Sequence, residues 1–146
     1  MPNIDLHLHP MLVHFPVALF VTACGLHILD LFLKKEKWCQ SAWNIFIVAI
    51  FITPLAILTG LEEAEEHHLH HHVLDLHKMF AFFTAGIAVL SLPLLVFLRK
   101  KSLPVFNQIF LAFLLVITVT VSCTAYNGGR LVYEYGVGVG EEEHGH

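Results

Sequence analysis

Histidine is the residue type whose number and spacing could do chemistry in this chain, with twelve copies in 146 residues. Two of them bracket the strip His9-Pro10-Met11-Leu12-Val13-His14-Phe15-Pro16, and a dense run, His67-His68-Leu69-His70-His71-His72, leads on to His77. A neutral imidazole can serve as an axial ligand to haem iron or as a ligand to a divalent transition metal. A b-type haem asks only for two imidazoles from facing helices and an apolar slot. His14 and His77 are the expected pair, with His9 beside them and Phe15, Phe80, Phe82 and Phe83 available as walls. A second haem in the same bundle is excluded. His27 lies thirteen residues after His14, but the residue fourteen beyond His77 is Ser91, and the second and fourth apolar segments hold no histidine. His27 is therefore expected to be an interior histidine near Asp30.

The stretch from Glu62 to His77 contains neither Gly nor Pro, so it can be helical. On one continuous helix Glu63, His67, His71 and Asp75 would recur at steps of four, stacking two imidazoles between two carboxylates, with His70 close by. Such a ladder would take Zn²⁺, Cu²⁺ or Ni²⁺. A di-iron carboxylate centre, which asks for Glu-x-x-His units on two different helices, is excluded, because short of the C-terminal tail Glu65 and His68 form the one such unit. Cys24, Cys39 and Cys123 form no CxxC pair and no CxxCH haem attachment site, and they are expected to be free of disulfides. No GxGxxG fingerprint or phosphate loop occurs, and nothing points to nucleic acid.

The elements that must position these residues follow from hydropathy. With 56% hydrophobic residues and a mean hydropathy of +0.69, the chain is too apolar for a soluble core of its size. Four segments, residues 12–33, 41–61, 79–98 and 103–125, approach or exceed the roughly 20 residues that cross a bilayer. The expected fold is all-α, an integral membrane four-helix bundle forming a single domain, with a connection at 62–77 and a tail at 126–146. Asp5, His7 and His9 stand where a secretory signal would carry Lys or Arg, so the first segment is read as a mature helix.

Six of the eight Lys and Arg residues fall in the first and third connections, giving that face +4 once Asp30 and Glu36 are counted, while the opposite face carries Lys78 and Arg130 against ten carboxylates, or −8. The positive-inside rule then puts both termini outside, on the periplasmic side of a bacterial inner membrane. Eleven of the twelve histidines gather on that side. The paired glycines Gly128-Gly129 are expected to end the fourth helix, with Tyr133 and Tyr135 anchoring the following strip at the interface.

Taken together, His9-Pro10-Met11-Leu12-Val13-His14-Phe15-Pro16-Val17-Ala18, Thr59-Gly60, Asn127-Gly128-Gly129, Leu131-Val132-Tyr133 and Gly136-Val137-Gly138-Val139 resemble the bacterial predicted membrane proteins of the domain-of-unknown-function family 2231. The resemblance runs from His9 to Val139 and implies a four-helix membrane domain without an assigned activity. It also implies that a shared function would use His9, His14, Gly128 and Gly129, while Tyr135 stands where the family often has His. The expected function is that of an electron carrier or binding subunit, more than a stand-alone enzyme: one haem b near the outer face, exchanging electrons between a quinone pool in the lipid bilayer and a periplasmic redox protein. The alternatives are a periplasm-facing divalent-metal binder using Glu62 to His77, and a structural or assembly subunit.

Overall fold

The computed structural model describes residues 8–34, 36–66 and 72–137. These form four helices, α1 (Leu8–Leu33), α2 (Glu36–Glu66), α3 (His72–Lys100) and α4 (Phe106–Tyr133), with no strand among the described residues. Even the shortest helix, at 26 residues, spans about 39 Å at 1.5 Å per residue, more than the roughly 30 Å of hydrocarbon in a bilayer. All four are long and apolar enough to cross a membrane.

Each helix turns a seam of residues inward at alternating steps of three and four, as coiled-coil packing requires. In α1 the buried seam is Pro16, Phe20, Ala23, His27 and Asp30; in α2 it is Ala42, Phe46, Ala49, Thr53 and Ala56. Helices α3 and α4 repeat the pattern with Thr84, Ala88, Ser91, Leu95 and Leu98, and with Phe110, Leu114, Ile117, Val121 and Thr124. The alanines at the α1–α2 contact let two backbones approach closely, which is how helices associate where no hydrophobic force drives them together. The outward faces carry large apolar side chains, with Phe32, Phe51 and Leu90 each more than 70% exposed. Lipid is the solvent such a surface fits.

Neighbouring helices run in opposite directions. His9 at the start of α1 lies against the end of α2, His27 late in α1 meets Asn107 early in α4, and His77 early in α3 meets Thr124 late in α4. The bundle is thus up-down-up-down, with α1 diagonal to α3 and α2 diagonal to α4, and the start of α1 and the end of α4 lie at one end. The α1–α2 and α3–α4 pairs pack closely, while α2–α3 is the loosest of the four seams.

The end holding the Lys- and Arg-rich connections is closed by aromatics. Phe110 stacks on Phe106 with ring centres 5.4 Å apart and meets Trp43 at 5.6 Å and Phe46 at 5.4 Å, while the Arg99 guanidinium covers Trp43 at 4.6 Å. Phe110→Ala should cost about 3 to 5 kcal/mol, the usual toll for emptying a fully enclosed phenylalanine site. Reversible unfolding in mixed detergent micelles measures it.

The helices overrun the hydropathic segments at the other end. Helix α2 continues five residues past Leu61, α3 starts seven before Met79, and α4 passes through Gly128-Gly129 to Tyr133. The expected stop at the glycine pair is therefore corrected. Two glycines cost a helix about 1 kcal/mol each, and neighbouring packing at Leu131, buried with Ala64, Val73 and Leu74, holds the last turn in place. Within it, Arg130 grips the C-cap residue Glu134 at 2.9 Å. That contact holds the Glu134 carboxyl below its ordinary value. A carboxyl lowered in the folded state adds stability above the usual carboxylate range and loses it as pH falls through the lowered value. The last turn of α4 should consequently fray at acid pH, read as faster amide exchange there.

Candidate functional site

Two imidazoles meet at the end of the bundle where α1 begins and α4 ends. His9 comes from α1 and His77 from the diagonally opposite α3, with ring centres 6.1 Å apart and ring planes crossed at 89°. Each ring is held by the neighbouring antiparallel helix. Nδ1 of His9 donates to the Ala56 carbonyl at 2.9 Å, and Nδ1 of His77 donates to the Thr124 carbonyl at 2.9 Å. A carbonyl can only accept, so in the neutral form each ring carries its proton on Nδ1 and keeps the Nε2 lone pair for another partner. Ligating histidines are oriented in the same way by a backbone carbonyl behind the ring.

Two glycines make room. A Cβ on Gly60 would stand 2.6 Å from Cε1 of His9, and one on Gly128 would stand 3.2 Å from Cε1 of His77. Gly129 is different, since an added Cβ there would meet nothing within 4 Å. The two rings border a cavity of about 270 Å³ whose walls are mainly apolar, among them Pro16, Val17, Ala81, Phe82 and Val121. Glu63 and Lys78 supply charge to the lining.

The halves of this site are copies of one another. His9 and His77, Ala56 and Thr124, and Gly60 and Gly128 are pairs separated by 68 residues, and both histidine-to-carbonyl bonds span 47 residues. The same offset superimposes Leu6-x-Leu8-His9-x-Met11 with Phe15 on Leu74-x-Leu76-His77-x-Met79 with Phe83, and Gln40 on Gln108. The buried seams coincide too, Ala42 with Phe110, Phe46 with Leu114 and Thr53 with Val121. The α1–α2 and α3–α4 hairpins are therefore related by an approximate twofold along the bundle, and the crossed imidazoles straddle it. This repeated Leu-x-Leu-His-x-Met signature is the sequence signal that singles out His9.

His14 does not join the pair. It is exposed, bonded through Nδ1 to the Pro10 carbonyl one turn back in its own helix at 2.6 Å, and absent from the cavity lining. The expected His14–His77 pairing is thereby replaced by His9–His77. The Glu63-to-Asp75 ladder is corrected as well. On one helix, Gly60 and His77 would stand about 25 Å apart along the axis, yet His9 touches Gly60 and lies 6.1 Å from His77. Glu63 and Asp75 thus belong to two antiparallel helices, and His67, His70 and His71 lie outside the described residues.

Four apolar helices enclosing a paired-imidazole cavity define an integral membrane four-helix protein. The chain belongs to the family described as predicted membrane protein DUF2231, whose model matches residues 5–141. Comparison with curated proteins and with solved structures found no match.

Proposed function

We propose that this protein binds one b-type haem between His9 and His77 and carries electrons within the membrane. The observation that carries the reading is the crossed pair of carbonyl-anchored imidazoles on diagonal helices. His9 and His77 would hold the iron between them, and with metal–nitrogen bonds of about 2 Å one ion fits between rings whose centres stand 6.1 Å apart.

The cavity, about 270 Å³, falls just below the range of ordinary cofactor pockets, roughly 300 to 1000 Å³, so a macrocycle would have to widen it. Ile57 and Leu61 of α2 and Ala81 and Phe82 of α3 carry its lining into the loosest seam of the bundle. A porphyrin held there would have to spread that seam. Bound there, a haem with both axial positions filled would supply one-electron transfer without binding a small ligand.

The chain's own residues do the rest. Ala56 and Thr124 fix the two tautomers, Gly60 and Gly128 admit the rings, and the apolar walls would keep water from a bound metal. Charge distribution favours an orientation with the acidic, His9-bearing end outside a bacterial inner membrane. A membrane quinol on one side and a soluble redox protein on the other are the partners this placement suggests.

The test is a reduced-minus-oxidised visible spectrum of protein purified in detergent after expression with ample haem supply, with iron, zinc, copper and nickel assayed on the same sample. A b-type spectrum near one haem per chain supports the reading. A colourless protein overturns it, and bound zinc, copper or nickel in its place would make the chain a metal binder.

A further inference from the structure

At the opposite end of the bundle a second polar cluster breaks the twofold. His27 is fully buried on α1, and its Nε2 donates to the backbone carbonyl of Asn107 on α4 at 3.0 Å. That bond leaves Nδ1 as the unprotonated nitrogen of the neutral ring. Among the described residues it is buried without a hydrogen-bond partner, and so is Oδ1 of Asp30, a residue only 8% exposed one turn further along the same helix. Cys39, near the start of α2, brings its sulfur to the same place. One ligand atom from each of His27, Asp30 and Cys39 lies within 4.8 Å of the other two.

Packing does not require polarity at these positions. In the other half of the repeat, the residues 68 further on are Leu95, Leu98 and Asn107, and Leu95 and Leu98 are buried just as His27 and Asp30 are. An imidazole and a carboxyl group therefore stand where leucine serves the equivalent helix. Burying such groups without partners costs on the order of 1 to 3 kcal/mol each, more where the group is charged. Proteins tolerate that cost where the group ligates a metal.

We propose that His27, Asp30 and Cys39, with one donor atom each, form a binding site for a divalent transition-metal ion of the Zn²⁺ class. Nitrogen, oxygen and sulfur donors are the three types that Zn²⁺ takes, at bonds of about 2.0 to 2.3 Å in tetrahedral geometry. Such bonds space the donors roughly 3.3 to 3.8 Å apart, so about an ångström of side-chain adjustment closes the site. The Asn107 carbonyl behind His27 fixes the ring's orientation, as in other ligating histidines. The Cys39 thiol itself donates to the side-chain oxygen of Asn107 at 3.5 Å, a proton that metal binding would release. The site pins α1, α2 and α4 together near the basic end, and it is independent of the haem reading, which concerns the other end of the bundle.

The thiolate makes the proposal readable. Full-length protein in detergent, stripped with chelator, is titrated with Co²⁺ and followed for the sulfur-to-cobalt charge-transfer band, which histidine-rich segments cannot produce. One equivalent should develop the band and one equivalent of Zn²⁺ should erase it. Cys39→Ser should abolish it, and Asp30→Asn should weaken Co²⁺ binding by at least about tenfold, the lower end of what even a supporting residue contributes. His27→Leu with Asp30→Leu, which installs the residues the other hairpin uses, should fold normally and lose the band, guarding against a variant that merely misfolds. A wild-type protein without the band, or a band that survives Cys39→Ser, overturns the proposal.

Discussion

His77→Ala and, separately, His9→Ala are each expected to remove the visible haem spectrum of the purified protein, while His14→Ala retains it. The contrast is large because the two classes of histidine differ in kind. Each of the paired rings has its Nδ1 tied to a carbonyl of a neighbouring helix and its Nε2 uncommitted by that bond. His14 is exposed and bonded within its own helix, outside the cavity. Losing one axial imidazole should drop haem content by an order of magnitude or more, and haem per chain by pyridine haemochrome reads it. The helices should survive, since a truncated ring at a half-buried site removes one hydrogen bond worth about 1 kcal/mol. Equal haem retention in His9→Ala and His14→Ala would sink the assignment of His9.

Gly60→Ala should separate site from fold even more cleanly. Its new methyl would stand 2.6 Å from the His9 ring, closer than real contacts allow, so the ring must swing away from the Ala56 carbonyl. The lost bond costs about 1 kcal/mol, while alanine in place of a helical glycine returns about the same. Thermal stability in detergent should stay within a few degrees, and haem binding should fall sharply. Gly128→Ala, at 3.2 Å from the His77 ring, calls for a smaller displacement and a milder loss. Gly129→Ala, with open space, should bind haem like the parent and melt slightly higher. A Gly60→Ala protein that keeps full haem content would show that the close approach of His9 to α2 has no bearing on binding.

The four spans were legible in hydropathy because nothing else in a chain of this size accounts for so much exposed apolar surface. Their ends were not, since Glu62 to Glu66 and His72 to Lys78 are polar yet helix-forming, and hydropathy reports only the part that faces lipid. Membrane depth suggested His14, but depth says nothing about which way a helix faces. The buried seam of α1, Pro16, Phe20, Ala23, His27 and Asp30, extends backwards in the same three-and-four steps through Val13 to His9. His14 lies off that line. The seam of α3 extends in the same way through Ala81 to His77. Periodicity, read together with the 68-residue repeat, contained the pairing. The cluster of His27, Asp30 and Cys39 was half visible, with His27 and Asp30 spaced as neighbours on one helix. Cys39 could not be foreseen, because its approach depends on how α2 is set against α1.

Each hairpin latches one histidine onto its own second helix, and neither holds more than half of the paired-imidazole cavity. As the ribosome delivers the chain to the membrane, the first hairpin can settle with His9 already aimed, yet nothing can grip a guest from both sides until the last helix has followed and His77 has found Thr124. On the haem proposal, loading would be a closing event of biogenesis, and a chain cut short anywhere before α4 would leave the bilayer with a poised but one-handed half.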